Sequence, residues 1–301
     1  MTIVSGEPPI ARAATLERAA PWLFVAFWST GFIVARYGTE DAGPLAFLTV
    51  RLAAAAVLLW IVAAATHAPA INRRQITWAS VTGLGMHAMY LGGVFVAIAH
   101  GLPSGLGALI AGLHPVITSL AARWLLNERL WPRQWLGVSL GMVGVLAVVV
   151  DRLRAHSGGI TTFTLCAMTV AVVGMAGGTL VQRSHGARMP LLRGTAVQYS
   201  AAAVIVSVGA IGNEHWKFHS TPRLWFSLAW ALLVLSIAAV LIMMVLLQRH
   251  AAARVSSLFF LTPALSTIEG AILFGERLGL LALIGFVVAL AGVWLTTRQP
   301  V

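Results

Sequence analysis

Charge is what this sequence has least of. Only 10% of its 301 residues are Asp, Glu, Lys or Arg, where soluble domains carry about 25%. So little charge cannot coat a water-soluble particle of this size, which excludes a soluble enzyme and a disordered chain alike. Acidic residues are the scarcest, 9 against 20 basic, and every basic residue except Lys217 is arginine. Cysteine is nearly missing: Cys166 stands alone in an apolar run, so no internal disulfide can form and the redox compartment stays unread. Runs of like charge are missing too. The basic residues sit singly or in pairs between apolar stretches, which argues against nucleic acid as a partner despite a formal charge of +11. Catalytic signatures are equally thin. There is no His-Glu-x-x-His, no pair of intramembrane aspartates and no histidine close to Cys166, and Gly83-Leu-Gly85 and Gly105-Leu-Gly107 lie inside apolar runs. No enzyme, metal or cofactor is expected, and the sequence offers no cradle for a nucleotide.

What the sequence has is apolar length: 59% of residues are hydrophobic and the mean hydropathy is +0.87. A chain in lipid must satisfy its backbone internally, and a spanning helix needs roughly 17–25 apolar residues. Runs bounded by charge, proline or glycine predict ten transmembrane helices in an all-α polytopic membrane protein, at about 21–37, 44–65, 76–99, 104–126, 134–150, 162–182, 193–212, 222–247, 254–274 and 279–297. Residues 1–20 lack an apolar core, so they read as a cytoplasmic N-terminal segment and not a cleaved signal peptide. With the N-terminus inside, the inner segments hold 13 Lys and Arg and the outer ones 6, with Arg51 within a helix. That asymmetry predicts both termini in the cytoplasm.

The chain also repeats itself. Pro115-Val-Ile-Thr-Ser aligns with Pro263-Ala-Leu-Ser-Thr at an offset of 148, and the same offset matches Glu128-Arg129-Leu130 to Glu276-Arg277-Leu278, Gly137 to Gly285 and Gly144 to Gly292. Weaker matches tie Gly31, Arg36 and Pro44 to Gly178, Arg183 and Pro190. Five helices per repeat is an odd number, so the halves 21–150 and 162–297 enter the membrane from opposite sides as an inverted repeat.

Two five-helix halves, each with a proline in the fourth helix, a Glu-Arg-Leu after it and a glycine-spaced fifth helix, resemble the EamA family of the drug/metabolite transporter superfamily. Within it the chain is similar to bacterial inner-membrane exporters of neutral and aromatic amino acids. The resemblance implies a secondary transporter working by alternating access, with helices 1, 3 and 4 facing helices 6, 8 and 9 across a midplane cavity and helices 5 and 10 outside it. It implies a small-molecule substrate in a lipid bilayer and a monomer that suffices for function, with dimerisation left open. A hydrophobic drug exporter of the same fold is the nearest alternative. A membrane-embedded enzyme or lipid-handling scaffold is the alternative from another class, and needs an interfacial polar cluster that the chain lacks.

Polar and aromatic residues at mid-depth are the candidate substrate contacts: Trp28 and Ser29 in helix 1, His87 and Tyr90 in helix 3, His114 in helix 4, Trp230 in helix 8, Ser257 and Thr262 in helix 9. Pro115 and Pro263 break their helices and free carbonyls near residues 111 and 259. Glu128-Arg129 and Glu276-Arg277 read as helix-end anchors, and Gly137, Gly141, Gly144, Gly285, Ala289 and Gly292 as close-packing stripes. Arg51 and Glu269 are the two ionisable residues least expected in apolar helices. Their similar depths predict a mutual charge pair, direct or through water, with a proton site at Glu269 as the other reading. Facilitated diffusion and proton exchange through His87, His114 or Glu269 all stay open.

Overall fold

The computed structural model describes residues 9–125, 131–154, 159–185, 189–240, 242, 246, 261–275 and 279–297. Among them, helices and short connections make up the chain, and an isolated bridge between Ala42 and Phe218 is the one β-type pairing. Ten helices follow in order: α1 Pro9–Asp41, α2 Pro44–Ala65, α3 Arg73–Ala99, α4 in two pieces Ser104–Ala111 and His114–Leu125, α5 Pro132–Arg154. The second half continues with α6 Thr162–His185, α7 Leu191–Glu214, α8 Pro222–Ala238, α9 Leu261–Phe274 and α10 Leu280–Thr297. Six of them are long and apolar enough to cross a membrane in their described residues alone. Residues 247–260 and the Glu-Arg-Leu motifs lie outside the described residues, and with them Ser257 and the carbonyl near 259.

One boundary departs from expectation. The first helix begins at Pro9 and runs through Pro21, where the sequence had suggested a start at 21. The alanine-rich stretch before Pro21 favours helix, and the missing N–H of one proline does not stop it. Where water would demand polar faces, large apolar side chains point outward instead: Val57, Ile61, Val208, Ile211, Ile272 and Val287 are all more than half exposed. Lipid is the solvent that accepts them.

Glycine sets how closely helices approach. A Cβ at Gly83 would collide with the backbone of Gln198, one at Gly85 with Gly174 and Gly178, and one at Gly93 with Ala167 and Ala171. These positions lock one side of α3 onto α6 and α7, and so decide which residues its other side turns inward. Helix α4 breaks at Gly112-Leu113, where a Cβ on Gly112 would press on Pro263.

Among the described residues two helices are wound wider than α. Leu84–Met89 within α3 and Ala231–Ala238 within α8 are π-helical. Shifted by the 148-residue repeat offset, the first segment falls within the second.

Candidate functional site

In α3 the residues Met86, His87, Tyr90, Leu91, Val94 and Phe95 recur every four positions and share one face. An unbroken α-helix of 3.6 residues per turn would rotate that stripe out of line, and the π turn adds the residue that straightens it. The stripe forms one wall of a cavity of about 240 Å³. Trp28, Gly31 and Phe32 of α1 face it, with Arg51 of α2, Met175 and Gln182 of α6, Leu191, Thr195, Gln198 and Tyr199 of α7, Leu235 of α8, and Val240 just past its end.

Arg51 is the one permanently charged side chain in this wall. Although 92% of its surface is buried, being only 8% exposed, it has no carboxylate partner among the described residues. Its Nε donates to Ser236 Oγ at 3.3 Å, and that hydroxyl donates to the Ala231 carbonyl at 3.0 Å, across the π segment of α8. The guanidinium is thereby aimed by one hydroxyl, with the rest of its fork of donors left for whatever enters. Around it the His87 ring tilts onto Tyr199 with centroids 4.5 Å apart, and Gln198 Nε2 donates to Gln182 Oε1 at 3.2 Å. Trp28 packs at 5.3 Å against Phe24.

A small extension of about 20 Å³ shares Trp28, Phe32, Tyr90 and Met175 with the main cavity and ends on His114, Thr262 and Pro263. Here the helix break is partly healed, because the Ala111 carbonyl accepts from His114 Nδ1 at 3.2 Å. Thr262 Oγ1 is buried with no hydrogen-bond partner among the described residues.

One end of the bundle is stitched shut between the α1–α2 and α7–α8 turns. Arg223 holds Asp41 with two bonds, Nε to Oδ2 at 2.9 Å and Nη2 to Oδ1 at 3.0 Å, and also pairs with Glu40. Thr221 Oγ1 donates to Asp41 at 2.7 Å. The Glu214 carboxylate caps the start of α2, accepting from the amides of Leu45 and Ala46 at 2.9 Å each. At the other end the cavity wall includes Gln182 and Leu191, beside the α6–α7 connection, where Trp78 stacks on His185 at 3.6 Å.

The structure thus brings Trp28, His87 and Tyr90 into the main cavity and His114, Thr262 and Pro263 into its extension. The backbone at Pro115 lies in the first turn of the second piece of α4. Two candidates do other work: Trp230 Nε1 donates to Thr30 Oγ1 at 2.9 Å, and Ser29 is fully buried between α1 and α9. The direct charge pair does not form. Arg51 engages Ser236 and Glu269 engages Ser29, since similar depth on two helices does not put their side chains on facing sides. The six-helix cavity also needs revision, because α2 and α7 supply wall residues and the described part of α9 lines the extension. Gln182, Gln198 and Tyr199 escaped notice, although polar side chains inside apolar helices were the signal that found His87 and Tyr90. No group of three His, Cys, Asp or Glu among the described residues could hold a metal ion.

Known proteins agree with this architecture. Over 289 residues the chain is 25% identical to a probable amino-acid metabolite efflux pump of Escherichia coli K12, covering 91% of this chain and 92% of that one. It is 27% identical over 292 residues to the uncharacterized inner membrane transporter YedA of the same organism, covering 91% and 90%. A solved crystal structure shares the fold at a TM-score of 0.64 and 18% identity, over 92% of this chain and 94% of that one. With the EamA-like transporter family model matching twice, over residues 21–150 and 162–298, the chain belongs to the EamA-like transporter family.

Proposed function

We propose that this protein exports small amphipathic carboxylates, neutral and aromatic amino acids first among them, by alternating access across a bacterial inner membrane. The observation that carries the substrate reading is Arg51, a single guanidinium without a carboxylate partner among the described residues, in a wall of Trp28, Phe32, Tyr90, Phe95 and Tyr199. A planar fork of donors in a low-dielectric pocket suits a carboxylate, and repels a cation. The aromatic walls suit an apolar side chain, and the faces of Tyr90 and Tyr199 suit an ammonium group. The cavity, about 240 Å³, falls below the roughly 300–1,000 Å³ of sites for drug-sized ligands. The relative named as a probable amino-acid metabolite efflux pump points the same way.

Alternating access is supported by two features: a cavity that reaches the α6–α7 connection while the opposite end is stitched by Asp41 and Arg223, and paired π segments at the repeat offset. Two family domains of five helices each, related as an inverted repeat with both termini cytoplasmic, would give two states of similar energy around one site. The test is counterflow of radiolabelled L-phenylalanine into liposomes holding the purified protein. Unlabelled phenylalanine should compete, and phenethylamine, which lacks only the carboxylate, should not. Equal competition by the amine, or movement of lipophilic cations in place of phenylalanine, overturns the substrate assignment.

A further inference from the structure

Three consecutive residues of α1 point three ways, as a helical step of about 100° requires. Trp28 faces the cavity, Thr30 accepts from Trp230 of α8, and Ser29 is buried against α9. Two bonds tie Ser29 to α9: its carbonyl accepts from Ser266 Oγ at 2.9 Å, and its hydroxyl lies 2.6 Å from Glu269 Oε1. The same hydroxyl lies 2.9 Å from the Ala26 carbonyl. A serine has one proton to donate, and a carbonyl can only accept. Both contacts are satisfied together if Ser29 donates to Ala26 and Glu269 donates to Ser29, which requires a proton on Glu269. The other oxygen, Oε2, is buried with no hydrogen-bond partner among the described residues. As the carbonyl oxygen of an acid it loses little there, whereas as part of a carboxylate it would be an unpaired buried charge.

Among the described residues no cation pairs with such a charge. The described part of α9 carries no other titratable group. From α1, Arg36 and Tyr37 lie on the ring of Phe274, one turn further on, at 4.2 Å and 5.0 Å. From α4, His114 meets α9 at Thr262 and Pro263 through the extension. None of these forms an ion pair with Glu269.

We infer that Glu269 is the proton-binding group of this transporter, carrying a proton in the conformation described and, on releasing it to water, loosening α9 from α1 so that the alternate conformation forms. Helix α1 is the shared lever: it carries Trp28 in the cavity wall, Ser29 at the proton site and Asp41 in the closing ion pair. The inference rests on alternating access and is independent of which substrate is carried.

The experiment uses purified full-length protein in nanodiscs, without substrate. Infrared difference spectra between acid and alkaline pH should show a protonated carboxylic carbonyl band that is lost as pH rises and is absent from Glu269→Gln. In a Cys166→Ala background, spin labels at Thr39 and Ser220, flanking the Asp41–Arg223 pair, should separate as pH rises in the wild type and stay at the acid-pH distance in Glu269→Gln. Glu269→Asp guards against misfolding of the glutamine variant: it should keep a titrating band, while its shorter side chain uncouples the label distance from pH. A missing band in the folded wild type overturns the proton site. A titrating band with label distances that follow pH equally in both variants overturns the coupling. Labels that move with added phenylalanine and not with pH overturn it too, while leaving alternating access standing.

Discussion

Helices α5 and α10 occupy matching places in the two halves, as do α3 and α8, yet the two pairs are built in opposite ways. The first pair is regular and packs backbone to backbone. A Cβ at Gly144 would collide with Ala289 and Gly285, and one at Gly292 with Gly141 and Gly137. The second pair is wound wide at corresponding places, and each wide segment meets the cavity: His87 on one, and Leu235 on the other, beside the Ser236 that holds Arg51. Close contact needs small residues in register and tolerates no irregularity. A cavity needs large side chains held in a straight stripe, and a π turn supplies that at the cost of regular hydrogen bonds. The Ser236 hydroxyl, donating to the Ala231 carbonyl, offsets part of that cost.

The largest expected effect breaks the rigid pair. Gly144→Leu should destabilise the protein by at least about 1–3 kcal/mol, read as a lowered Tm and a smaller monodisperse fraction, while phenylalanine counterflow per folded molecule stays near wild type. An unchanged Tm would mean that α5 and α10 are not held by that contact. In the cavity pair the effects should invert. Arg51→Gln should weaken phenylalanine binding about 10- to 100-fold, the equivalent of roughly 1.5–3 kcal/mol for hydrogen bonds to a charged group, with little change in Tm. Calorimetric titration of the purified variant checks this, and wild-type affinity would remove Arg51 from the site.

Ser236→Ala sharpens the comparison at a single hydroxyl. It leaves the guanidinium in place but unaimed, and should cost several-fold in affinity, about 0.5–1.5 kcal/mol. Arg51→Lys should resemble Arg51→Gln more than it resembles Ser236→Ala, since an ammonium keeps the charge and loses the fork. The smallest effect on stability belongs to the ion pair that closes the end of α8. Arg223 is about half exposed, its side chain at 47%, so Arg223→Met should leave the Tm nearly unchanged. It should nevertheless widen the distance between labels at Thr39 and Ser220, and added salt should do the same in the wild type.

Depth along a helix can be read from the sequence, and direction around it cannot. His87 and Tyr90 stand three apart in an apolar run and reach one cavity. Gln198 and Tyr199 carry the same signal in α7, but that helix is not among the six that the resemblance places around the cavity, and the contact of Gly83 with the Gln198 backbone shows how it is turned inward. Trp230, equally deep, spends its indole N–H on Thr30. Arg51 and Glu269 match in depth and still face different neighbours.

Length, hydropathy and the 148-residue repeat are properties of the chain itself, so the sequence alone determined a polytopic helical membrane protein of two similar halves. Lipid has no hydrogen bonds to offer a backbone, and that leaves helices as the outcome wherever apolar runs are long enough. The direction each helix faces belongs to no single segment. It follows from where a glycine admits a neighbouring backbone, where a turn widens by a residue and which hydroxyl reaches across. Only the tertiary structure therefore decided that Arg51 lines a cavity, that Ser29 meets Glu269 in place of the cavity, and that α2 and α7 share in the site.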